Sequence, residues 1–281
     1  MSPSTRFEVR HSQGGAVLSS SGVYQGSSFY ELLQNEHPHL LPSRTADSIA
    51  GNLSVPHGTT VLAFRFADGV VVAGDRLATE GHRVASRDIE KVFATDHHSL
   101  MAISGAAGPS IEMARILSVE LEHYEKLEGQ ALGLEGKANK LSQMIRQNLP
   151  AAMQGLVVVP VFAGYDTRRS RGRLWKFDIT GGRYEETQFE ATGSGGLYAR
   201  ESLKASWRED LDRSGALVAA TRALTAAADE DRATGGVDLE RRIFPIVKFS
   251  VSTGIDDAAD SEVESAYRAI LAERAGGRSG T

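Results

Sequence analysis

The chain has no cysteine. That excludes a disulfide framework and any thiolate-bound metal. It fits a reducing compartment, so a cytoplasmic location is expected. No apolar run approaches the roughly 18 residues of a membrane span. Met1-Ser2-Pro3-Ser4-Thr5-Arg6 carries a charge with no apolar core behind it, so neither a secretory signal nor a membrane partner is expected. Positive charge is not in excess: 31 Lys and Arg against 36 Asp and Glu leave −5, which gives no reason to expect a nucleic-acid partner. There is no Gly-x-x-x-x-Gly-Lys-Ser/Thr loop, so the chain does not itself hydrolyse ATP. Eight histidines are present, but His37-Pro38-His39 and His97-His98 read as loop residues, and no metal and no cofactor are expected.

What is present suits one large domain or two small ones: 281 residues, 41% hydrophobic. Residues 1–58 stand apart, rich in Ser, Gly, Pro and His, with one capped helical turn expected at Ser28-Phe29-Tyr30-Glu31-Leu32-Leu33. Then comes the stretch that organises the rest, His57-Gly58-Thr59-Thr60-Val61-Leu62-Ala63-Phe64. A strand over Thr60–Phe66, a turn at Asp68-Gly69 and a returning strand over Val70–Gly74 form the strongest short-range hairpin signal in the chain. The return brings Asp75 back toward Thr59. A threonine hydroxyl is a poor nucleophile without a base beside it. A cut between Gly58 and Thr59 would create that base, an α-amine whose pKa is ordinarily about 8.

Further strands are expected at Val92–Ala94, Ser99–Ser104, Leu156–Gly164, Leu174–Ile179, Arg183–Ala191 and Ile243–Ser250. Helices are expected from Ser110 to Gly129, Leu134 to Met153 with a kink at Pro150, Leu197 to Arg208 and Ala216 to Asp231. A last helix from Ser261 to Arg274 would carry Ser261 as N-cap and Glu264 at the capping-box position, followed by a frayed tail. Arg168, Arg169, Arg171 and Arg173 read as a solvated hairpin loop. This order of elements fits antiparallel sheets layered with helices, an α+β fold.

Gly58-Thr59-Thr60, Gly74-Asp75-Arg76, Lys91-Val92 and Ile103-Ser104-Gly105 resemble the active-site blocks of proteasome β subunits. Glu120–Lys126, Ala152–Gly155, Thr192–Gly195 and Asp231–Gly236 are similar to actinobacterial members. The resemblance runs from about residue 57 to 275. It implies a four-layer αββα sandwich, the N-terminal nucleophile hydrolase fold. It implies a propeptide, 1–58, removed at Gly58–Thr59, and a catalytic domain, 59–281. The activity implied is threonine endopeptidase, acting on unfolded or tagged proteins. Thr59 would be the nucleophile, Lys91 the cation beside it, Asp75 the partner that holds Lys91, and Gly105 the oxyanion donor. Ser194, Asp231 and Thr234 would surround the new amine. Ala78, Thr79, Ile89, Phe93, Ile103, Ala107 and Ile111 would line the substrate pocket. Implied partners are proteasome α subunits and further β subunits in stacked heptameric rings, with a hexameric ATPase activator on the α rings. Two other readings are a subunit of the two-component bacterial heat-shock peptidase and a catalytically silent ring subunit. The segment after Thr59 is long for the first, and Thr59, Asp75 and Lys91 together argue against the second. Ser104, Ala106 and Gly196 depart from the family's usual residues.

Overall fold

Alternating apolar residues resolve into two stacked sheets in the computed structural model, which describes residues 58–80 and 83–278. The turn expected at Ser28–Leu33 and all of the expected propeptide except Gly58 lie outside the described residues.

The predicted hairpin forms as β1 (Thr60–Phe66) and β2 (Gly69–Gly74), in register from Val61↔Gly74 to Phe66↔Gly69. On one side β1 pairs with β10 (Phe189–Gly193); on the other, β2 pairs with β11 (Ile246–Val251), which pairs with β12 (Gly254–Asp257). The second sheet runs β5 (Val92–Ala94), β6 (Ser99–Ala102), β7 (Val161–Asp166), β8 (Arg171–Phe177), β9 (Arg183–Glu186), antiparallel throughout. A separate ribbon pairs β3 (Ala78–Glu80) with β4 (Arg83–Ser86).

Side-chain alternation sends the two faces of each sheet into different layers. Val61, Ala63, Val70 and Val72 pack with Val92, Leu100, Ala102, Val161, Ala163 and Leu174 between the sheets. Leu62, Phe64, Val71 and Ala73 face the other way. They pack on α4 (Gly196–Ser206), α5 (Arg213–Glu230) and α6 (Asp260–Arg278). On the far side, Met101, Phe162 and Trp175 pack on α1 (Ala107–Glu128) and α2 (Leu134–Gln147). The layers are helix, sheet, sheet, helix, the αββα sandwich implied by the resemblance.

Several expectations are corrected. The run Arg183–Ala191 is two strands in different sheets, because the chain crosses from one layer to the other after β9. The strand expected at Leu156 begins at Val161, since Pro160 cannot donate to a ladder; Val158 keeps one isolated bridge, to Gly105. The helix from Leu134 breaks at Asn148, leaving a short α3 (Leu149–Ala152) with Pro150 in its first turn. Ile243–Pro245 precedes β11, and β3, β4 and β12 were not foreseen. The last helix starts at Asp260, not Ser261, and Glu262 Oε2, not Glu264, accepts from the backbone N–H of Ala259. That helix continues through Gly276 to Arg278, so the tail expected from Gly276 is not seen there; residues 279–281 lie outside the described residues. Arg173 is no loop residue. It lies in β8, 3% exposed, and donates to Asp166 and Glu185 while its guanidinium stacks on Trp175.

Candidate active site

Thr59 precedes β1 and is buried. Its carbonyl accepts from Ser194 N at 2.8 Å, in the turn that ends β10. Gly193 permits this approach: its φ is +98°, and a Cβ there would lie 1.9 Å from the Thr59 carbonyl oxygen. Thr59 Oγ1 donates to the Gly58 carbonyl oxygen at 2.7 Å, and Lys91 Nζ donates to the same oxygen at 3.3 Å. Gly58 is also spatially confined. A Cβ there would meet Thr79 Oγ1 at 2.4 Å and the Ala233 carbonyl oxygen at 2.8 Å.

The hairpin delivers Asp75. Its N–H bonds the Thr60 carbonyl at 3.1 Å, continuing the β1–β2 ladder past Gly74. The carboxylate is fully buried and accepts four hydrogen bonds. Oδ1 takes Thr60 N (2.8 Å) and Lys91 Nζ (2.6 Å); Oδ2 takes Leu77 N (2.9 Å) and Gly235 N (2.8 Å). Lys91, 2% exposed, also donates to the Leu77 carbonyl at 2.6 Å. Its three acceptors are Asp75, Leu77 and Gly58, which match the three N–H bonds of an ammonium. Burial lowers the Lys91 pKa below its ordinary 10.5, against the charge and hydrogen bond of Asp75 and the charge of Asp231, which raise it. With all three positions on acceptors, the nitrogen has no lone pair to offer. These three contacts are those of an ammonium donor.

Asp231 follows α5. Its Oδ2 accepts from Ser194 Oγ at 2.5 Å and Thr234 Oγ1 at 2.6 Å, and its Oδ1 from Ala233 N at 3.1 Å. Burial pushes its pKa up, but these donors and the Lys91 charge outweigh it and hold the carboxyl below 3.8. Thr60 was not foreseen. Its hydroxyl lies 2.5 Å from Thr234 Oγ1 and accepts from Gly195 N at 2.9 Å. No local signal could have found it, because Thr60 reads as the first residue of a strand.

Gly105 has φ +100°, and a Cβ there would lie 2.2 Å from the Val157 carbonyl oxygen. Neighbouring backbone groups pair (Ala106 N with Val157 O, Val159 N with Ser104 O), whereas the Gly105 N–H meets no acceptor among the described residues. Gly105, Thr59, Gly58 and Lys91 line one cavity of about 10 Å³, with Ala78, Ile89, Ile103, Ser104, Ala107 and Ser110. Four of the seven expected pocket residues are there: Ala78, Ile89, Ile103 and Ala107. Phe93 and Ile111 pack on the cluster that contains Ile103, and Thr79 abuts Gly58. Ser104 and Ser110 are additions. Ser104 Oγ is committed to the Val159 carbonyl at 2.6 Å. Among the described residues no group of His, Asp and Glu could hold a metal.

A family model described as "Proteasome subunit" matches residues 55–239. The proteasome subunit beta of Acidimicrobium ferrooxidans is 55% identical over 241 residues, covering 85% of this chain and 88% of the relative. The subunit beta of Streptomyces griseus is 50% identical over 249 residues (88% and 89%), and that of Acidothermus cellulolyticus 51% over 253 (88% and 87%). The fold is the one that the resemblance implies. The chain therefore belongs to the proteasome subunit family, as a β subunit of actinobacterial type.

Proposed function

We propose that the chain is a threonine endopeptidase that matures by cutting its own Gly58–Thr59 bond. Family membership makes it the catalytic β subunit of the proteasome core, hence part of a multi-subunit protease. The observation that carries the finer reading is the shared carbonyl: Thr59 Oγ1 and Lys91 Nζ both donate to the Gly58 oxygen, at 2.7 and 3.3 Å.

The chemistry follows from that arrangement. The Thr59 hydroxyl attacks the Gly58 carbonyl carbon, and the C=O electrons move onto the oxygen that Lys91 faces. Collapse breaks the Gly58–Thr59 C–N bond, and the proton lost from the hydroxyl ends on the nitrogen. The product is an ester between Gly58 and Thr59 Oγ1. Water hydrolyses it, leaving a Gly58 carboxylate, the free hydroxyl and a free α-amine on Thr59. That amine is the base the hydroxyl lacked. It takes the Thr59 proton when the hydroxyl attacks a substrate carbonyl, and the Gly105 N–H, which meets no acceptor among the described residues, is the donor for the developing oxyanion. Lys91 keeps its charge beside both groups, and Asp75 holds it there. Ser194 holds the Thr59 carbonyl, and Asp231 accepts from Ser194 and Thr234 behind it.

Residues 1–58 are thus a propeptide, and residues from Thr59 the mature subunit. Substrates are unfolded or tagged proteins, cut beside a mainly apolar pocket. We further place the subunit in the cytoplasm, in stacked seven-membered rings with α subunits and a hexameric ATPase activator. No helix among the described residues is long and apolar enough to cross a membrane.

The test is N-terminal mass and peptidase rate for wild type, Thr59→Ala and Lys91→Ala in particles assembled with an α subunit. Wild type should lose residues 1–58 and cut peptides; both variants should keep the full chain and be inactive. A Thr59→Ala particle that still processes itself and cuts peptides would overturn the reading.

A further inference from the structure

The Asp75–Lys91 pair and the Asp231 cluster are joined twice: by Gly235, next to Thr234, with the Gly235 N–H donating to Asp75 Oδ2 at 2.8 Å, and by Thr60. Thr60 is fully buried. Its backbone N–H donates to Asp75 Oδ1 at 2.8 Å. Its hydroxyl is 2.5 Å from Thr234 Oγ1, which lies 2.6 Å from Asp231 Oδ2.

The proton order in this chain is forced. Asp231 is a carboxylate and accepts, so Thr234 donates its one hydroxyl proton to it. Thr60 must therefore donate to Thr234. The Thr60 oxygen in turn accepts from Gly195 N at 2.9 Å. The sequence runs Gly195 N–H to Thr60 O–H to Thr234 O–H to Asp231, with every donor used once. Gly195 belongs to the same turn as Ser194, whose N–H holds the Thr59 carbonyl at 2.8 Å and whose hydroxyl donates to Asp231 at 2.5 Å. Adjacent amides of one turn thus hold consecutive residues, Thr59 by its carbonyl and Thr60 by its hydroxyl. The turn is shaped for this: a Cβ on Gly195 would lie 2.5 Å from both the Thr60 and the Thr234 hydroxyl oxygens.

We propose that the Thr60 hydroxyl is a positioning group: it locks the Ser194–Gly195 turn and Asp231 in register with the Asp75–Lys91 pair, and so fixes Thr59 between them. This deepens the threonine-peptidase reading and rests on it. Thr60 does not line the cavity next to Thr59, so its loss should leave substrate affinity alone. Misplacing a reacting group by about 1 Å can cost about 10²-fold in rate.

The experiment uses assembled particles and a fluorogenic peptide, with Thr60→Val, Thr60→Ser and Thr59→Ala beside wild type. Valine keeps the shape and the β-branch but removes the hydroxyl; serine keeps the hydroxyl and drops the methyl. Thr60→Val should lower kcat by at least about tenfold with KM within a factor of about two. Thr60→Ser should stay within about threefold of wild-type kcat. Wild-type kcat in Thr60→Val overturns the proposal. So does a Thr60→Ser particle as impaired as Thr60→Val, which would show that packing rather than the hydroxyl matters. Should Thr60→Val fail to assemble, Thr234→Val tests the next link. It should lower kcat at unchanged KM, and adding Thr60→Ser should worsen it by less than about twofold; unchanged kcat in Thr234→Val overturns the proposal. Activity in Thr59→Ala would overturn the peptidase reading itself, an outcome separate from all of these.

Discussion

Gly58 shows how little room there is beside the Thr59 hydroxyl. Its missing side chain is a steric requirement, since a Cβ would meet Thr79 Oγ1 at 2.4 Å and the Ala233 carbonyl at 2.8 Å. Gly58→Ala should therefore displace the carbonyl from Thr59 Oγ1 and slow self-cleavage by about 10²-fold. Intact-mass time courses on co-assembled particles would check this, and wild-type kinetics would refute the steric account. Asp231 carries a pH signature. Its pKa is below 3.8 in the folded chain, so it binds fewer protons folded than unfolded. It therefore adds stability above about 3.8, and that stability is lost as pH falls through the lower folded value. The melting temperature of a Thr59→Ala chain should exceed that of Thr59→Ala/Asp231→Asn near neutral pH. The gap should close as pH drops below 3.8. A gap that is constant with pH would mean that the charged form is not what stabilises.

The hairpin β1–β2 is the element that makes the site, because one turn brings Asp75 beside Thr60 across its ladder. Its apolar residues on both faces are buried, which is why the run reads as nearly continuous rather than strictly alternating. Among the helices that cover its outer face is α5, an alanine-rich helix with Ala216, Ala219, Ala220, Ala223 and Ala227 all buried. Small side chains let this helix lie close to β1 and α4, and the Asp231 that follows it is set at that depth. Ala220→Leu adds three carbons to a position with no exposure, and should cost about 1–3 kcal/mol. The urea midpoint of the unassembled chain would show this. An unchanged midpoint would mean that α5 can move outward freely, and Asp231 with it.

At the scale of the molecule, apolar side chains remain on the outer helices. On α1, Val119 is 65% and Leu127 72% exposed; on α4, Leu197 is 66% exposed. Their positions suit burial against other subunits. The chain alone should stay small and keep residues 1–58; with an α subunit it should form a large particle whose β chain starts at Thr59. Sedimentation with intact mass would decide, and a processed, active monomer would contradict it. Leu197→Asp should shift sedimentation toward smaller species while leaving the circular dichroism of the single chain unchanged.

Local pattern determined a good deal: the hairpin, the long helices and the Gly129 stop of α1 (φ +69°). Those features depend on periodicity, turn chemistry and short motifs, which neighbouring residues carry by themselves. Tertiary structure alone decided the rest. The run Arg183–Ala191 looks like one strand, yet two sheets claim its halves, because pairing partners lie far along the chain. Arg173 sits in a basic run but is buried between Asp166, Glu185 and Trp175, a setting visible only when β7, β8 and β9 lie side by side. Thr60 reads as an ordinary strand threonine. Its partner Thr234 is 174 residues away, and only the packing of α5 against β1 closes that distance to one hydrogen bond.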